Sequence, residues 1–367
     1  YAVPGMYGRA VTFDVASMHP SSIIALNAFG DYTKKFKELL DARIAIKHKD
    51  YELAGSMMGG KLKPYLKDPA DAKMLANALK IAINSVYGLT SASFDNPFHD
   101  PRNVNNIVAL RGALFMVNLR DEVTKLGGQV IHIKTDSIKI LDPSPEIFDF
   151  VMAYGKQYGY NFEIEHIFEK ICLVNDSVYI AKLAEDDPED PGKWTATGAQ
   201  FAEPYVFKTL FSHEPIEFDD MCSTFNVSKG ALYLDVNEDD PENHSYHFVG
   251  RTGLFCPIKA GFGGALLQKK TDTGEFAFPA GSKGFRWLEA ETVMDTHMED
   301  AVEKGYFDIL AAKAIETINE FGDFESFAGS VPPWLTPCGK DALLSCRNCS
   351  SFRIEGDKYT CDRGYNI

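Results

Sequence analysis

The chain has 367 residues, of which 45% are hydrophobic and 12% aromatic, and its formal net charge is −15. That size suits a globular protein of two or three domains, and because no apolar run reaches 18 residues we expect no membrane-spanning helix. The charge is uneven: residues 1–135 hold 17 Lys and Arg against 12 Asp and Glu, whereas residues 136–367 hold 20 against 40. The first part of this acidic chain can therefore present a basic surface.

The first elements predicted along the chain are a short strand and a helical hairpin. Residues 10–13 are apolar and β-branched and lead into Asp14, so we predict a strand over residues 10–15. Residues 32–51 carry apolar side chains at helical spacing among many bases, and residues 70–87 form a second helical pattern that we expect Gly88 to end. The Gly- and Pro-containing segment between the two helices predicts a turn.

The rest of the chain is predicted to mix helices and strands. A helix is expected from about residue 103 to 126, followed by a β-hairpin over "QVIHIKTDSIKILDP" whose turn carries Asp136. The segment "FEIEHIFEKICLVNDSVYIAKL" predicts further strands, and "GYFDILAAKAIETINEF" predicts a late helix. These elements together predict the α+β fold class.

Two carboxylates, Asp14 and Asp136, lie at the end or turn of apolar strands. If these strands are neighbours in one sheet, the two side chains come together, and shared divalent cations offset the repulsion between them. Mg²⁺ is commonly held by one or two carboxylates together with substrate phosphates. Strand-end aspartates are also common turn formers, so the pair alone leaves both readings open.

The helical hairpin offers donors for phosphate groups. Arg43 and Lys47 lie four residues apart, as do Lys80 and Asn84, so each pair shares one helix face. Arg binds phosphate in a bidentate manner and Lys acts as a point charge, although a solvated basic face explains the same residues. Tyr87, one turn further on, suits either stacking on a base or core packing. With the two aspartates, these donors indicate a two-metal phosphoryl- or nucleotidyl-transfer site.

Four motifs in order give the chain a resemblance to family B DNA polymerases, most closely those of tailed bacteriophages. "DVASMHPSSI" (14–23) resembles their motif A, "KIAINSVYG" (80–88) motif B and "HIKTDS" (132–137) motif C, and "LLDARIAIK" (39–47) is similar to the basic segment of the first fingers helix. The expected architecture is a palm with an antiparallel sheet (1–32 and 91–195), helical-hairpin fingers (33–90), a mostly helical thumb (196–330) and a small Cys-rich module (331–367).

The resemblance also implies roles for the matching positions. Asp14 and Asp136 would be catalytic and hold two Mg²⁺ ions, with the Val15 carbonyl as a further ligand. The incoming deoxynucleoside triphosphate would contact residues of motif A, the basic segment and motif B, namely Ser17, Met18, His19, Arg43, Lys47, Lys80, Asn84 and Tyr87. The implied function is template-directed DNA synthesis, in which the primer 3′-hydroxyl attacks the α-phosphate and pyrophosphate leaves.

Three positions depart from the family pattern. His19 stands where the family has a tyrosine that excludes ribonucleotides, so a shorter flat ring occupies that gate. Lys134 replaces the first aspartate of motif C and is expected to contact the primer phosphate. The "NDSVY" segment keeps only Tyr179 of a basic element that grips duplex DNA, so we expect the DNA to contact Tyr179 and either Lys182 or Lys208.

These departures define the alternatives and the expected partners. Lys134 and the absence of a visible exonuclease region favour a rival function, a non-catalytic polymerase-derived DNA-binding subunit of a split replicase. A reverse transcriptase is disfavoured because "KTDS" does not supply its paired aspartates. Besides primer-template DNA and deoxynucleotides, a separate exonuclease chain or a processivity factor is a candidate partner. The first residues lack a signal-peptide pattern, so we expect a cytoplasmic protein. Because the first motif begins as early as residue 14, we also expect a fragment, a processed chain or one half of a split protein.

Four of the seven cysteines lie near the C-terminus with the spacing C-x7-C-x2-C-x11-C: Cys338, Cys346, Cys349 and Cys361. One close pair and two further thiols can complete a tetrahedral Zn²⁺ site, which would explain how a segment with few bulky apolar residues folds. Reduced thiols without metal and a [4Fe–4S] cluster are the alternatives. The odd cysteine count disfavours a secreted disulfide framework and indicates a reducing compartment.

Overall fold

The structure is a computed structural model that describes residues 1–99, 101–102, 106–237, 240, 242–332 and 335, together with the backbone of 352–355 and 358–361. Helices and antiparallel sheets alternate along the chain, which confirms the predicted α+β fold class. The chain divides into two compact units, Tyr1–Ile171 with Leu183–Gly192 and Cys172–Lys182 with Lys193–Ile367. None of the helices in the described ranges has the length and apolar character needed to cross a bilayer.

The first unit combines one antiparallel sheet with packed helices. Its strands are β1 (Gly5–Tyr7), β2 (Ala10–Val15), β3 (Gln129–Lys134), β4 (Ser137–Leu141) and β5 (Phe162–Leu173, whose last two residues belong to the second unit). Its helices are α1 (Met18–Ala25), α2 (Thr33–Lys47), α3 (Tyr51–Ser56), α4 (Pro69–Ser91), α5 (Ile107–Lys125) and α6 (Pro145–Gln157). The strands run in the order β3-β4-β2-β5, with β1 beside β5.

Alternation along the central strand β2 decides which side chains reach the core. Val11, Phe13 and Val15 are buried in a cluster with α5 and α6 residues. Because successive strand residues point to opposite faces, Asp14 lies on the other face. An acid can therefore lie within a largely apolar strand without entering the core.

The helical hairpin predicted between residues 32 and 87 is present as α2, α3 and α4. The first helix ends sooner than expected, since Lys49 has a left-handed φ of 62° and Asp50 caps α3 by accepting a hydrogen bond from the Leu53 amide. Phe36 and Leu40 of α2 pack against Ile83 of α4 in one buried cluster.

The expectation that Gly88 ends the second helix of the hairpin is wrong. α4 continues to Ser91, and the Thr90 hydroxyl donates to the Tyr87 carbonyl inside this last turn. Glycine only lowers the helical propensity of an interior position, and here the flanking residues continue the helix.

The second unit contains two further sheets between residues 223 and 289. Its strands are β6 (Tyr179–Leu183, ending in the first unit), β7 (Trp194–Thr197), β8 (Ser223–Asn226), β9 (Ala231–Asp235), β10 (Tyr246–Gly250), β11 (Thr252–Ile258), β12 (Ala265–Lys269), β13 (Phe276–Ala277) and β14 (Arg286–Glu289). Its helices are α7 (Ala199–Ala202), α8 (Pro204–Phe207), α9 (Ala290–Asp295), α10 (Gly305–Asn319) and α11 (Phe324–Ala328). The sheet orders are β10-β9-β12-β13 and β14-β11-β8.

Residues 196–330, expected to be mostly helical, contain strands as well as helices. Seven strands, β8 to β14, lie in that range, and all of them except β13 contribute side chains to a core that includes Phe255, Trp287 and Phe307. Short aromatic and β-branched runs such as "ALYLD" and "TGLFCPI" favour strands, and each is too short to show a helical period. The predicted α10 is present within this unit.

Most of the predicted zinc ligands lie outside the residues that the structure describes. Cys338, Cys346 and Cys349 are outside the described residues, and Cys361 is described only as the last backbone position of β16 (Lys358–Cys361), which pairs with β15 (Phe352–Glu355). Zinc binding there stays a prediction. The remaining cysteines, Cys172, Cys222 and Cys256, are buried and form no disulfide.

Candidate active site

One pocket of about 450 Å³ in the first unit gathers most of the predicted site residues. It is lined by parts of β2, α1, α2, α4, β5 and the β3–β4 turn. Its lining residues are Asp14, Val15, Ala16, Ser17, Met18, His19, Pro20, Arg43, Ile44, Lys47, Lys80, Asn84, Tyr87, Asp136 and Glu163. The eight residues expected to contact the triphosphate and both expected catalytic acids are thus brought together.

The two aspartates meet because β2 and β4 are neighbours. Asp14 pairs with Ser137 in this antiparallel ladder, which places it next to the β3–β4 turn that carries Asp136. The Val15 amide donates a hydrogen bond of 2.9 Å to the Asp136 carbonyl and fixes the turn against the end of β2. Thr135 completes the turn with a left-handed φ of 52°. Residues 122 positions apart are thereby held at one sheet edge.

Asp14 lies in an unfavourable environment for a carboxylate. Burial, followed by the negative charges of Asp136, Glu165 and Glu163, raises the pKa of Asp14 to about 7, while Lys47 opposes the shift. A carboxyl group with such a pKa takes up a proton or is stabilised by a cation. The pocket therefore favours a positive ion beside Asp14.

The opposite wall of the pocket is cationic. Arg43 donates a hydrogen bond of 2.9 Å to the Ser17 hydroxyl, and burial lowers the pKa of Arg43. Ser17 itself has a left-handed φ of 62° at the start of α1, which is the tight turn after the strand. Such a conformation is costly for a residue with a side chain and is common at functional sites. Lys80 and Asn84 line the same pocket from α4.

Lys47 is tied to a carboxylate that the sequence motifs did not point out. Its ammonium lies 2.5 Å from Glu163 Oε2, and His48 Nε2 lies 3.2 Å from Glu163 Oε1. Burial opposes ionisation of Glu163, but the hydrogen bonds and charges of Lys47 and His48 outweigh it and lower the Glu163 pKa. A bound triphosphate would replace Glu163 as the partner of Lys47.

A pair of stacked rings forms another part of the pocket wall. The His19 and Tyr87 rings are parallel within 12°, with centroids 4.5 Å apart. The Tyr87 hydroxyl donates a 2.7 Å hydrogen bond to Asn106 Oδ1, which anchors that ring. His19 Nδ1 is buried without a hydrogen-bond partner among the described residues. A ligand in the pocket can supply that partner.

Sequence reasoning missed three charged residues around the aspartates. Glu163 pairs directly with Asp14 across β2 and β5, and Glu165 follows it two positions later. Lys139 of β4 is only 4% exposed, and burial lowers its pKa to about 8. The alternating acids in "FEIE" (162–165) were the sequence signal for Glu163 and Glu165. Only the strand order shows that they lie near Asp14.

The four residues predicted to contact DNA lie outside the pocket lining, and one of them, Lys208, forms an ion pair with Asp220, its ammonium 2.8 Å from Asp220 Oδ2. Lys134 ends β3 and pairs with Ser137, beside the turn but outside the lining of the pocket. Tyr179 and Lys182 lie on β6 of the second unit, paired with Thr197 and Trp194. Three positions apart on one strand, they point to opposite sheet faces. Their contacts with DNA stay predictions.

The acids of the pocket fit a Mg²⁺ ion whose remaining ligands come from a substrate. No group of three His, Cys, Asp or Glu side chains in the described part of the chain is close enough to hold a metal ion by itself. Asp14 and Asp136 converge with the Val15 backbone at a desolvated, negatively charged position. Mg²⁺ needs only one or two carboxylates when substrate phosphates and water complete its octahedron. These three residues would hold it.

Comparisons with known proteins show a distant similarity among solved structures. No family model and no curated protein matches the chain. Among solved structures, it is similar to the family B DNA polymerase from the hyperthermophilic archaeon Pyrobaculum calidifontis, with 13% sequence identity and a TM-score of 0.45. The similarity covers 87% of this chain and 46% of the archaeal chain, so the protein spans about half the length of that polymerase.

Proposed function

We propose that the protein is a template-directed DNA polymerase that transfers nucleotides from deoxynucleoside triphosphates to a primer 3′-hydroxyl. The observation that carries this proposal is the pocket itself, in which two strand-end carboxylates face three cations and an amide from a helical hairpin. Nucleotidyl transfer needs both halves, because the acids hold metal ions and the cations hold the phosphates that leave. The motif resemblance to phage replicative enzymes supports the same reaction.

Each wall of the pocket has a task in this reaction. Arg43, fixed by its bond to Ser17, and Lys80 offer positive charge to a triphosphate. When bound to Asp14 and Asp136, Mg²⁺ would neutralise phosphate charge and lower the pKa of the primer hydroxyl.

The stacked rings give the pocket its selectivity in this proposal. Tyr87 is held by Asn106 and supports the His19 ring, so a flat surface faces the sugar and base of the nucleotide. The unpartnered His19 Nδ1 offers a hydrogen bond to the nucleotide. We expect the ring to oppose a ribose 2′-hydroxyl by its bulk, as the family tyrosine does.

A second candidate is the non-catalytic DNA-binding subunit, and one observation favours it. Lys134 occupies the position of a family carboxylate, so the β3–β4 turn carries one acid and one base instead of two acids. Glu163 and Glu165 restore negative charge near Asp14 from β5. That compensation favours the enzyme over the subunit.

Primer extension with Mg²⁺ and four deoxynucleotides tests the proposal. The wild-type chain is expected to extend a primer, whereas Asp14→Asn and Asp136→Asn should each reduce the rate by at least about 1,000-fold by removing a metal ligand. Asp149→Asn, an exposed carboxylate on α6, is the matched control and should extend normally. Absence of extension by the wild-type chain, also in the presence of a separate exonuclease-bearing chain, would favour the non-catalytic subunit.

A further inference from the structure

The turn between α3 and α4 carries a concentrated positive charge. Residues 57–67, "MMGGKLKPYLK", contain three lysines and no acid, and we call this segment the hairpin tip. Lys61, Lys63 and Lys67 are exposed, and Tyr65 between them is 56% exposed. Among the described residues, these lysines form neither an ion pair nor a hydrogen bond through their side chains. The whole of residues 33–90 holds 11 Lys and Arg against 6 Asp and Glu, in a chain of net charge −15.

Buried contacts and a hydrogen bond fix the hairpin tip against the neighbouring helices. Leu62 is 9% exposed, and Leu66 packs against the buried cluster that joins α2, α3 and α4. The Met58 amide donates a 2.7 Å hydrogen bond to Glu38 Oε1 on α2. Because these apolar and backbone groups face inward, the intervening lysines and Tyr65 are held outward.

Two acids close to the hairpin tip in sequence, Asp50 and Asp68, have backbone partners. Asp50 accepts the Leu53 amide at the start of α3, and Asp68 accepts the Ala70 and Asp71 amides at the start of α4. These capping carboxylates offset helix dipoles and orphan amides. The lysine charges of the hairpin tip are therefore left to attract an anion from solution.

One face of α4 connects the hairpin tip to the pocket. Lys73, Asn77, Lys80, Asn84 and Tyr87 follow each other at intervals of four and three residues, which places them on one helix face. At 1.5 Å per residue, this polar stripe is about 21 Å long. Its last three members line the pocket.

We propose that the hairpin tip binds single-stranded DNA, with the three lysines contacting phosphates and Tyr65 stacking on a base. The combination of spaced cations and an exposed aromatic ring is the chemistry that single strands recognise. A polymeric anion fits better than a free triphosphate, because a DNA strand carries a phosphate at every nucleotide and can extend from the hairpin tip along α4 toward the pocket. That the strand is the template rests on the proposed function; the binding itself requires neither Mg²⁺ nor catalysis.

The test measures binding of a fluorescent oligo-dT 20-mer to the full chain by anisotropy, in EDTA, across a series of salt concentrations. Replacing Lys61, Lys63 and Lys67 together by Gln should lower the slope of log affinity against log salt by about 2, at ~0.7 for each lost phosphate contact. Tyr65→Ala should weaken binding at least about fivefold and leave the slope unchanged.

The matched control replaces three exposed lysines of the same unit, Lys34, Lys35 and Lys156, by Gln. It changes the net charge equally and should keep the wild-type slope. Equal slopes of log affinity against log salt for both triple variants would overturn the inference. It would also be overturned if neither the triple lysine replacement at the tip nor Tyr65→Ala alters the affinity for the oligonucleotide, and that outcome would favour a protein partner at the hairpin tip. Tip-dependent binding by a chain that extends no primer would overturn only the proposed function, whereas normal extension with tip-independent binding would overturn only this inference.

Discussion

The Asp14→Asn substitution is expected to stabilise the metal-free protein while it abolishes activity. Burial and the charges of Asp136, Glu165 and Glu163 raise the pKa of Asp14 from 3.8 to about 7. At about 1.36 kcal/mol for each pH unit, that difference converts to about 4 kcal/mol of lost stability when the group is ionised. Because Asp14 is only half-buried, solvent screening reduces the figure to about 2 kcal/mol.

The sign of the pH dependence follows from the two states. Well below pH 3.8, Asp14 is protonated in both the folded and the unfolded chain and does not change the free energy of unfolding. Between pH 4 and pH 7 the unfolded chain loses this proton first, so the free energy of unfolding of the wild type falls as the pH rises. Above pH 7 the free energy of unfolding of the wild type has lost its full contribution from Asp14 and no longer changes with pH through this group. The variant lacks this group, so its advantage grows over that interval.

Thermal unfolding in EDTA at pH 4.5 and pH 8 measures the effect. At roughly 2–4 °C per kcal/mol for a unit of this size, we expect the variant to unfold about 4–8 °C above the wild type at pH 8, and only slightly above it at pH 4.5. Asp149→Asn serves as the control for loss of one exposed carboxylate. A variant that is less stable than the wild type at pH 8, or a gap that does not change with pH, would refute this reasoning.

Three further outcomes are expected. Mg²⁺ should raise the melting temperature of the wild type more at pH 8 than at pH 4.5, and should have little effect on Asp14→Asn, in the same unfolding assay; an equal Mg²⁺ effect on both proteins would place the ion elsewhere. Arg43→Lys should raise the KM for deoxynucleotides roughly tenfold in steady-state extension, because the fork that reaches both Ser17 and a phosphate is lost; an unchanged KM would remove Arg43 from the triphosphate site. Elemental analysis of the full chain should find about one Zn²⁺, absent from the Cys346→Ser, Cys349→Ser double variant; a metal-free wild type would exclude the zinc module.

The part of the site that was predictable from sequence depends on short-range patterns. Strand-end position identified Asp14 and Asp136, and spacings of four on a helix identified Arg43, Lys47 and Lys80. The β-hairpin around Asp136 followed from alternation on either side of a polar turn. In each of these, the information lies within about twenty residues of chain.

The remaining part depends on pairings between distant strands. Glu163 faces Asp14 only because β5 lies beside β2, and Lys139 is buried only because β4 lies on the other side. No local pattern specifies strand order, so the ion pair of Lys47 with Glu163 was not foreseen. The sheets of residues 223–289 were missed for a related reason, since their strands of two to seven residues are too short to show a period and are stabilised by the shared core.

Stability and chemistry are opposed at this sheet edge, and the opposition explains which residues the pocket uses. Without ligand, Asp14 is ionised at a cost, and the ammonium of Lys47 is held by Glu163. In the proposed function, a metal ion with a triphosphate would bring the charges that both walls lack, positive for the aspartates and negative for Lys47. Its binding would stabilise ionised Asp14 and release Glu163 together. A neutral nucleoside relieves neither. The pocket is therefore expected to discriminate by charge before it discriminates by shape, since the energy that the fold spends on Asp14 is recovered only by a ligand that carries both signs.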